Sequence, residues 1–243
     1  MTPTPLPTDT ATADHVPWDA DPYAAALRTG RGPLYLRRRD GWALPLEVER
    51  WCAGADQADM TVLRRCTPPV LDVGCGPGRL VAALAVRGCP ALGIDTSPAA
   101  VVRTRRGGGD ALCRSVFDPL PGEGRWRTVL LLDGNIGIGG DPTALLRRIR
   151  DLVAPGGVLL VEAAREEVAE ERVEVRLEDG RGCHGPAFPW ARVGRAALGD
   201  LAGAAGWTVE EEWTAHGRPF FSLRDGLRDA ARRPAGGARP TTP

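Results

Sequence analysis

The chain contains no lysine; all 31 of its basic residues are arginine. A phosphate loop closing on Gly-Lys-Ser/Thr is therefore excluded. It has no apolar run of the length that crosses a bilayer. The Thr- and Pro-rich start, Met1 to Ala13, has neither the basic nor the apolar stretch of a secretory signal. The six cysteines stand at 52, 66, 75, 89, 113 and 183, with no C-x-x-C among them. That spacing suggests neither a zinc site nor a disulfide framework, so no metal and a reducing cytoplasm are expected. Net charge is zero, 31 basic against 31 acidic residues. There is no electrostatic footprint for nucleic acid or an anionic membrane. Arginine runs such as Arg37-Arg38-Arg39 then read as a solvated face. Aromatic residues are only 5% of the chain. Tyr23, Tyr35, Trp42 and Trp51 nevertheless gather in the N-terminal segment, ahead of the first apolar strand pattern.

Against these absences stands one dense stretch, Val70-Leu71-Asp72-Val73-Gly74-Cys75-Gly76-Pro77-Gly78-Arg79. Pro69 to Val73 reads as a buried strand, and Leu80 to Arg87 as a helix. The three glycines between them make a tight turn that brings bare backbone N–H groups and a helix N-terminus to a ligand. A second apolar strand, Ala91 to Ile94, ends in Asp95. A carboxylate about 20 residues past such a turn suits a ribose diol. The stretch therefore predicts a nucleoside-containing ligand at the carboxyl ends of two parallel strands. The nicotinamide fingerprint G-x-G-x-x-G fails, because Arg79 stands where its third glycine belongs. Asp72 would repel a pyrophosphate and suits an ammonium instead. These features favour S-adenosylmethionine over NAD or ATP. Cys75, inside the turn, reads as a packing residue.

Leu71-Asp72-Val73-Gly74-Cys75-Gly76-Pro77-Gly78 resembles motif I of the class I S-adenosylmethionine-dependent methyltransferases. Gly93-Ile94-Asp95-Thr96-Ser97-Pro98 resembles the acidic loop that follows it. The resemblance covers about Pro69 to Leu223. It implies an α/β fold: a seven-stranded, mostly parallel Rossmann-like sheet in the order 3-2-1-4-5-7-6, helices on both faces and an N-terminal helical lid. It implies that Asp72, Gly74, Cys75, Gly76, Gly78, Asp95 and Thr96 surround the cofactor. It further implies that Asp118 bonds the adenine amino group and that Phe117 covers the ring. The loop Asp133-Gly134-Asn135-Ile136, after a continuously apolar strand, resembles the motif IV region facing the reacting methyl group. Asp133 and Gly134 then belong to the cofactor site, and Asn135 matches in place the asparagine of some small-molecule N-methyltransferases. The Pro155-Gly156-Gly157 turn is a further likeness.

The expected organisation is a disordered tail at 1–16, a lid segment at 17–68, the cofactor-binding domain at 69–224 and a disordered tail at 225–243. Asp19 or Asp21 is expected to cap the first helix. Within the domain, about 164–192 reads as an insertion: Val173 to Leu177 alternates as a half-exposed strand, and a Gly-, Pro- and aromatic-rich piece, Cys183 to Trp190, precedes a helix. His184 lies in that insertion and is the candidate general base, histidine titrating near neutrality. His15 sits in the tail and His216 in a hairpin turn. The expected function is methyl transfer to a small-molecule acceptor, by a monomer or homodimer, without nucleic-acid or membrane partners. The alternatives are a catalytically inactive scaffold that keeps the cofactor site, or aminopropyl transfer on the same fold.

Overall fold

The computed structural model describes residues 21–166 and 168–226. The two expected tails, Asp19 and His15 lie outside these, apart from the end of the last strand. Seven strands form one sheet: β3 (Val70–Val73), β4 (Ala91–Asp95), β5 (Ala111–Cys113), β6 (Trp126–Leu131), β7 (Val153–Glu162), β10 (Trp207–Ala215) and β11 (Arg218–Asp225). Their order across the sheet is β10-β11-β7-β6-β3-β4-β5. Numbered by their own sequence order, these strands run 3-2-1-4-5-7-6, as expected. β3 to β7 pair in parallel, and β11 pairs antiparallel with both β7 and β10. The order reverses between β3 and β6, which opens a crevice at the carboxyl ends of the strands.

Local chemistry sets the helix starts. Ser97 caps α5 (Pro98–Arg106) and Asp141 caps α6 (Pro142–Leu152), each ahead of a proline in the first turn. Asp56 and Asp59 form a capping box on α3 (Gln57–Leu63). One face of the sheet packs Leu71, Val129 and Leu131 against Leu145, Leu146 and Ile149 of α6 and against α7 (Arg195–Ala204). The other packs Val70 and Leu130 against α3 and against Leu80 and Leu84 of α4 (Arg79–Val86). No helix among the described residues is long and apolar enough to cross a membrane.

The N-terminal segment is not purely helical. Beside α1 (Asp21–Thr29) and α2 (Val48–Cys52) it holds two strands, β1 (Tyr35–Arg37) and β2 (Ala43–Pro45). They join the insertion strands β8 (Glu170–Glu178) and β9 (His184–Val193) in a separate antiparallel sheet, β2-β1-β8-β9. The Gly- and Pro-rich piece before α7 is thus a strand, and its prolines explain where it sits. A proline cannot donate to a ladder, and β9 is an edge strand. Leu34, Leu36, Val175, Leu177, Phe188 and Trp190 bury this small sheet against Tyr23 and Leu27 of α1 and Val48 of α2. The result is a cap over the crevice.

Candidate active site

The glycine turn is built as its sequence requires. Gly74, Gly76 and Gly78 have φ of 72°, 54° and 85°, in the left-handed region that favours glycine. The N–H groups of Gly74 and Cys75 both donate to Ile94 O, at 2.9 and 3.0 Å. Gly76 N–H donates to Asp95 Oδ2 at 2.9 Å, and Ser97 N–H to Asp95 Oδ1 at 2.8 Å. Asp95 therefore ties the turn to the end of β4 while still lining the cavity. Burial pushes its carboxyl up to about 6. The Cys75 side chain packs with Val81, Val101 and Ala111, and burial holds its thiol well above the usual range.

Asn135 fastens the turn from the opposite side. It lies in a short 3-10 turn, Asn135–Gly137, after Gly134 at φ 83°. Its Nδ2 donates to Val73 O at 2.8 Å and to Gly74 O at 2.9 Å. Both amide protons are thus engaged, and Oδ1 is its remaining polar atom.

Beneath the cavity lies a buried ion cluster. Arg79, at the position of the missing third glycine, turns its guanidinium inward. It donates to Asp59 Oδ2 and Oδ1 at 2.8 and 3.0 Å and to Asp133 Oδ2 at 2.6 Å. Arg50 from α2 reaches Asp133 Oδ1 at 2.6 Å. Arg218, only 2% exposed, donates to Glu162 Oε1 and Oε2 at 2.8 and 2.7 Å, to Asp59 Oδ1 at 2.9 Å and to Asp133 Oδ1 at 3.1 Å. Three guanidiniums thus face three carboxylates. Burial opposes ionisation of Asp133, but Arg79, Arg50 and Arg218 outweigh it and hold the carboxyl well below the usual range. Asp133 has φ 58°, unusual for a residue other than glycine, and its N–H donates to Glu162 Oε2 at 2.9 Å. The cluster therefore also fixes the backbone that leads into Gly134 and Asn135.

Asp72 sits differently. Successive strand residues point to opposite faces, so Asp72 shares the face of Val70, under α3 and α4, with Arg79 nearby. It is 2% exposed, does not line the cavity, and its Oδ2 has no partner. Burial is the main cause that raises its carboxyl to about 7. In the unfolded chain the same group ionises near pH 4. Between about pH 4 and 7 the unfolded chain sheds this proton and the folded chain keeps it, so folding stability contributed here falls as pH rises through that window. Asp72→Asn lacks that slope. In urea unfolding it is expected to gain stability on wild type between pH 4.5 and 7.5, by up to about 4 kcal/mol. A constant difference across that range would show that Asp72 ionises normally in the fold.

The cavity above these groups measures about 370 Å³. Gly74, Cys75, Gly76, Asp95, Thr96, Asp133, Gly134 and Asn135 all line it. Gly78 lies outside the wall, with Thr104 packed where its Cβ would be. Phe117 and Asp118 also lie outside. Phe117 is exposed and close to Gly139, while Asp118 accepts the Ser115 N–H at 3.1 Å. Arg114 and Val116 line that end instead. His184 is exposed, at the start of β9, and takes no part in the wall. The end of β9 that does, Trp190 to Val193, is about 20 to 30 Å further along an extended strand. Sequence reading missed Asp59, Arg50 and Arg218. Arg79 was conspicuous, but nothing local marked its partners. Among the described residues no group of three or more His, Cys, Asp or Glu is placed to hold a metal ion.

A family model for a methyltransferase domain matches residues 53–212. No curated protein sequence matches the chain. Among solved structures it is similar to a methyltransferase from Bacteroides fragilis in complex with S-adenosylhomocysteine, at 23% identity and TM-score 0.73, covering 87% of this chain and 98% of that one. It also resembles the 1,6-didemethyltoxoflavin-N1-methyltransferase of Burkholderia thailandensis, at 18% identity and TM-score 0.55, covering 74% and 81%. A third likeness is a sugar N-methyltransferase from Streptoalloteichus, at 21% identity and TM-score 0.51, covering 71% and 87%.

Proposed function

This chain belongs to the methyltransferase-domain family, and we propose that it transfers a methyl group from S-adenosylmethionine to a small organic acceptor. The observation that carries the reading is the glycine turn tied to Asp95, both facing one cavity at the strand-order switch. The residues present fit the cofactor. Its nucleoside end suits the carboxylate of Asp95 beside Thr96 and Val116. Its carboxylate suits Arg50, which lines the cavity and whose buried Nη1 has no protein partner. The sugar- and toxoflavin-directed relatives, and the likeness of Asn135 to the asparagine of some N-methyltransferases, favour a small acceptor.

The bound cofactor supplies an electrophilic methyl carbon on a positively charged sulfur. The protein then has to align an acceptor in line with that carbon and keep water out, and orientation alone supplies several kcal/mol. Asn135 and the ion cluster hold the turn and its floor; the cap sheet and α2 close the other side. Calorimetric titration with S-adenosylmethionine and S-adenosylhomocysteine, with NAD⁺ as control, tests the reading. Micromolar binding of the first two is expected. Asp95→Ala is expected to weaken it about ten- to hundredfold, since hydrogen bonds to a charged acceptor are worth roughly 1.5–3 kcal/mol. A folded wild type that binds neither would sink the enzyme reading.

A further inference from the structure

The cap half of the cavity speaks to the acceptor, an inference that rests on the methyltransferase reading. It is walled by Leu36, Leu44, Leu46 and Trp51 from the N-terminal segment and by Ile138 and Trp190. Such a wall recognises apolar area and shape. The charges at its rim are spent on one another. Glu47 accepts from Arg50 at 2.6 Å and from Arg165 at 3.3 Å. Arg192 donates to Glu166 at 2.8 Å and Glu171 at 3.0 Å, and lies over the Trp42 ring. An ionic acceptor would therefore enter an apolar site without a counter-charge, which is costly.

Among the described residues the wall also offers no free base to take a proton. Asp133 is held by three arginines and Glu162 by Arg218. Asp95 accepts two backbone N–H groups on the cofactor side. Tyr23, buried beside Asp95, stays a protonated phenol. Among the described residues no histidine lines the cavity. A hydroxyl or carbon acid usually needs a base for methylation, whereas a neutral amine nitrogen does not.

We infer that this subsite takes an uncharged, flat, largely apolar acceptor whose attacking atom is an arylamine or ring nitrogen with a free lone pair, and that no side chain serves as base. The lone pair forms the bond to the methyl carbon while the carbon–sulfur bond breaks and its electron pair stays on sulfur. The positive charge passes to nitrogen, and an N–H proton, where there is one, leaves to water at the mouth.

Four naphthalenes substituted at the same carbon separate charge from shape: naphthylamine, naphthol, naphthoate and (aminomethyl)naphthalene. Each is titrated at neutral pH into the full chain saturated with S-adenosylhomocysteine. The amine and the naphthol are expected to bind, and the two ions about tenfold or more weakly. With S-adenosylmethionine instead, only the naphthylamine should gain a methyl group by mass spectrometry. Leu44→Glu should reverse the order of naphthylamine and the ammonium ion without changing S-adenosylhomocysteine affinity. Equal or tighter binding of either ion, methylation of the naphthol, an amine that binds unmethylated, an unchanged order in Leu44→Glu, or no binding of any probe overturns the inference. In each of those cases bound S-adenosylhomocysteine leaves the methyltransferase reading standing; failure to bind it removes that reading itself.

Discussion

Arg218→Met is expected to destabilise the protein by about 3–5 kcal/mol, the cost of leaving buried carboxylates without their partner. A domain of this size is stable by only about 5–15 kcal/mol. The melting temperature should therefore fall by roughly 6–20 °C. The reason lies in what Arg218 touches: both oxygens of Glu162, one of Asp59 and one of Asp133, all below solvent reach or nearly so. Methionine fills much of the volume but carries no charge. Adding Glu162→Leu removes one stranded carboxylate and should recover part of the loss. Arg195→Ala, which breaks the exposed pair with Glu212, should leave the melting temperature nearly unchanged. A drop for Arg218→Met no larger than that control would mean water already solvates the cluster.

Gly74→Ala should abolish most cofactor affinity while leaving a folded protein. A Cβ at residue 74 would stand 2.6 Å from Asn135 Nδ2 and 2.8 Å from its Cγ. The amide would have to leave the carbonyls of Val73 and Gly74, which it now holds. The backbone at φ 72° adds strain of about 1–3 kcal/mol for any side chain. Together these should weaken S-adenosylhomocysteine binding by about a hundredfold or more. Gly134→Ala separates the two causes, since its Cβ would meet nothing within 4 Å although its φ is 83°. It should show the strain alone, as a smaller loss. Pairing Gly74→Ala with Asn135→Ala removes the clash and should recover part of the affinity. Wild-type affinity in Gly74→Ala would show that the close approach of Asn135 does not shape the site.

The cofactor half of the site was readable early because its parts are neighbours in sequence. A strand, three glycines, a helix and Asp95 fall within one β-α-β unit, and each obeys a local rule of turn chemistry or periodicity. The strand order followed from that unit's resemblance to a known family, together with the run of strands after it. The prolines and glycines of Cys183 to Trp190 misled the local reading, because a strand signal assumes a ladder on both sides and β9 is an edge. In the sequence, His184 stands in an insertion expected over the cavity. Its actual position depends on which end of a ten-residue strand faces inward.

The other half is a product of long-range contacts. β1 meets β8 across some 140 residues of chain, Tyr35 opposite Glu178. Arg218 meets Asp59 across 159 positions. No window of sequence contains both members of such a pair, and an arginine-only chain hides the few buried guanidiniums among many solvated ones. Local patterns therefore settle the class of cofactor and the frame that holds it. The shape and charge of the acceptor's space, and the ions that support its floor, are decided only when distant segments pack, because burial and pairing are properties of the folded neighbourhood and not of the residue.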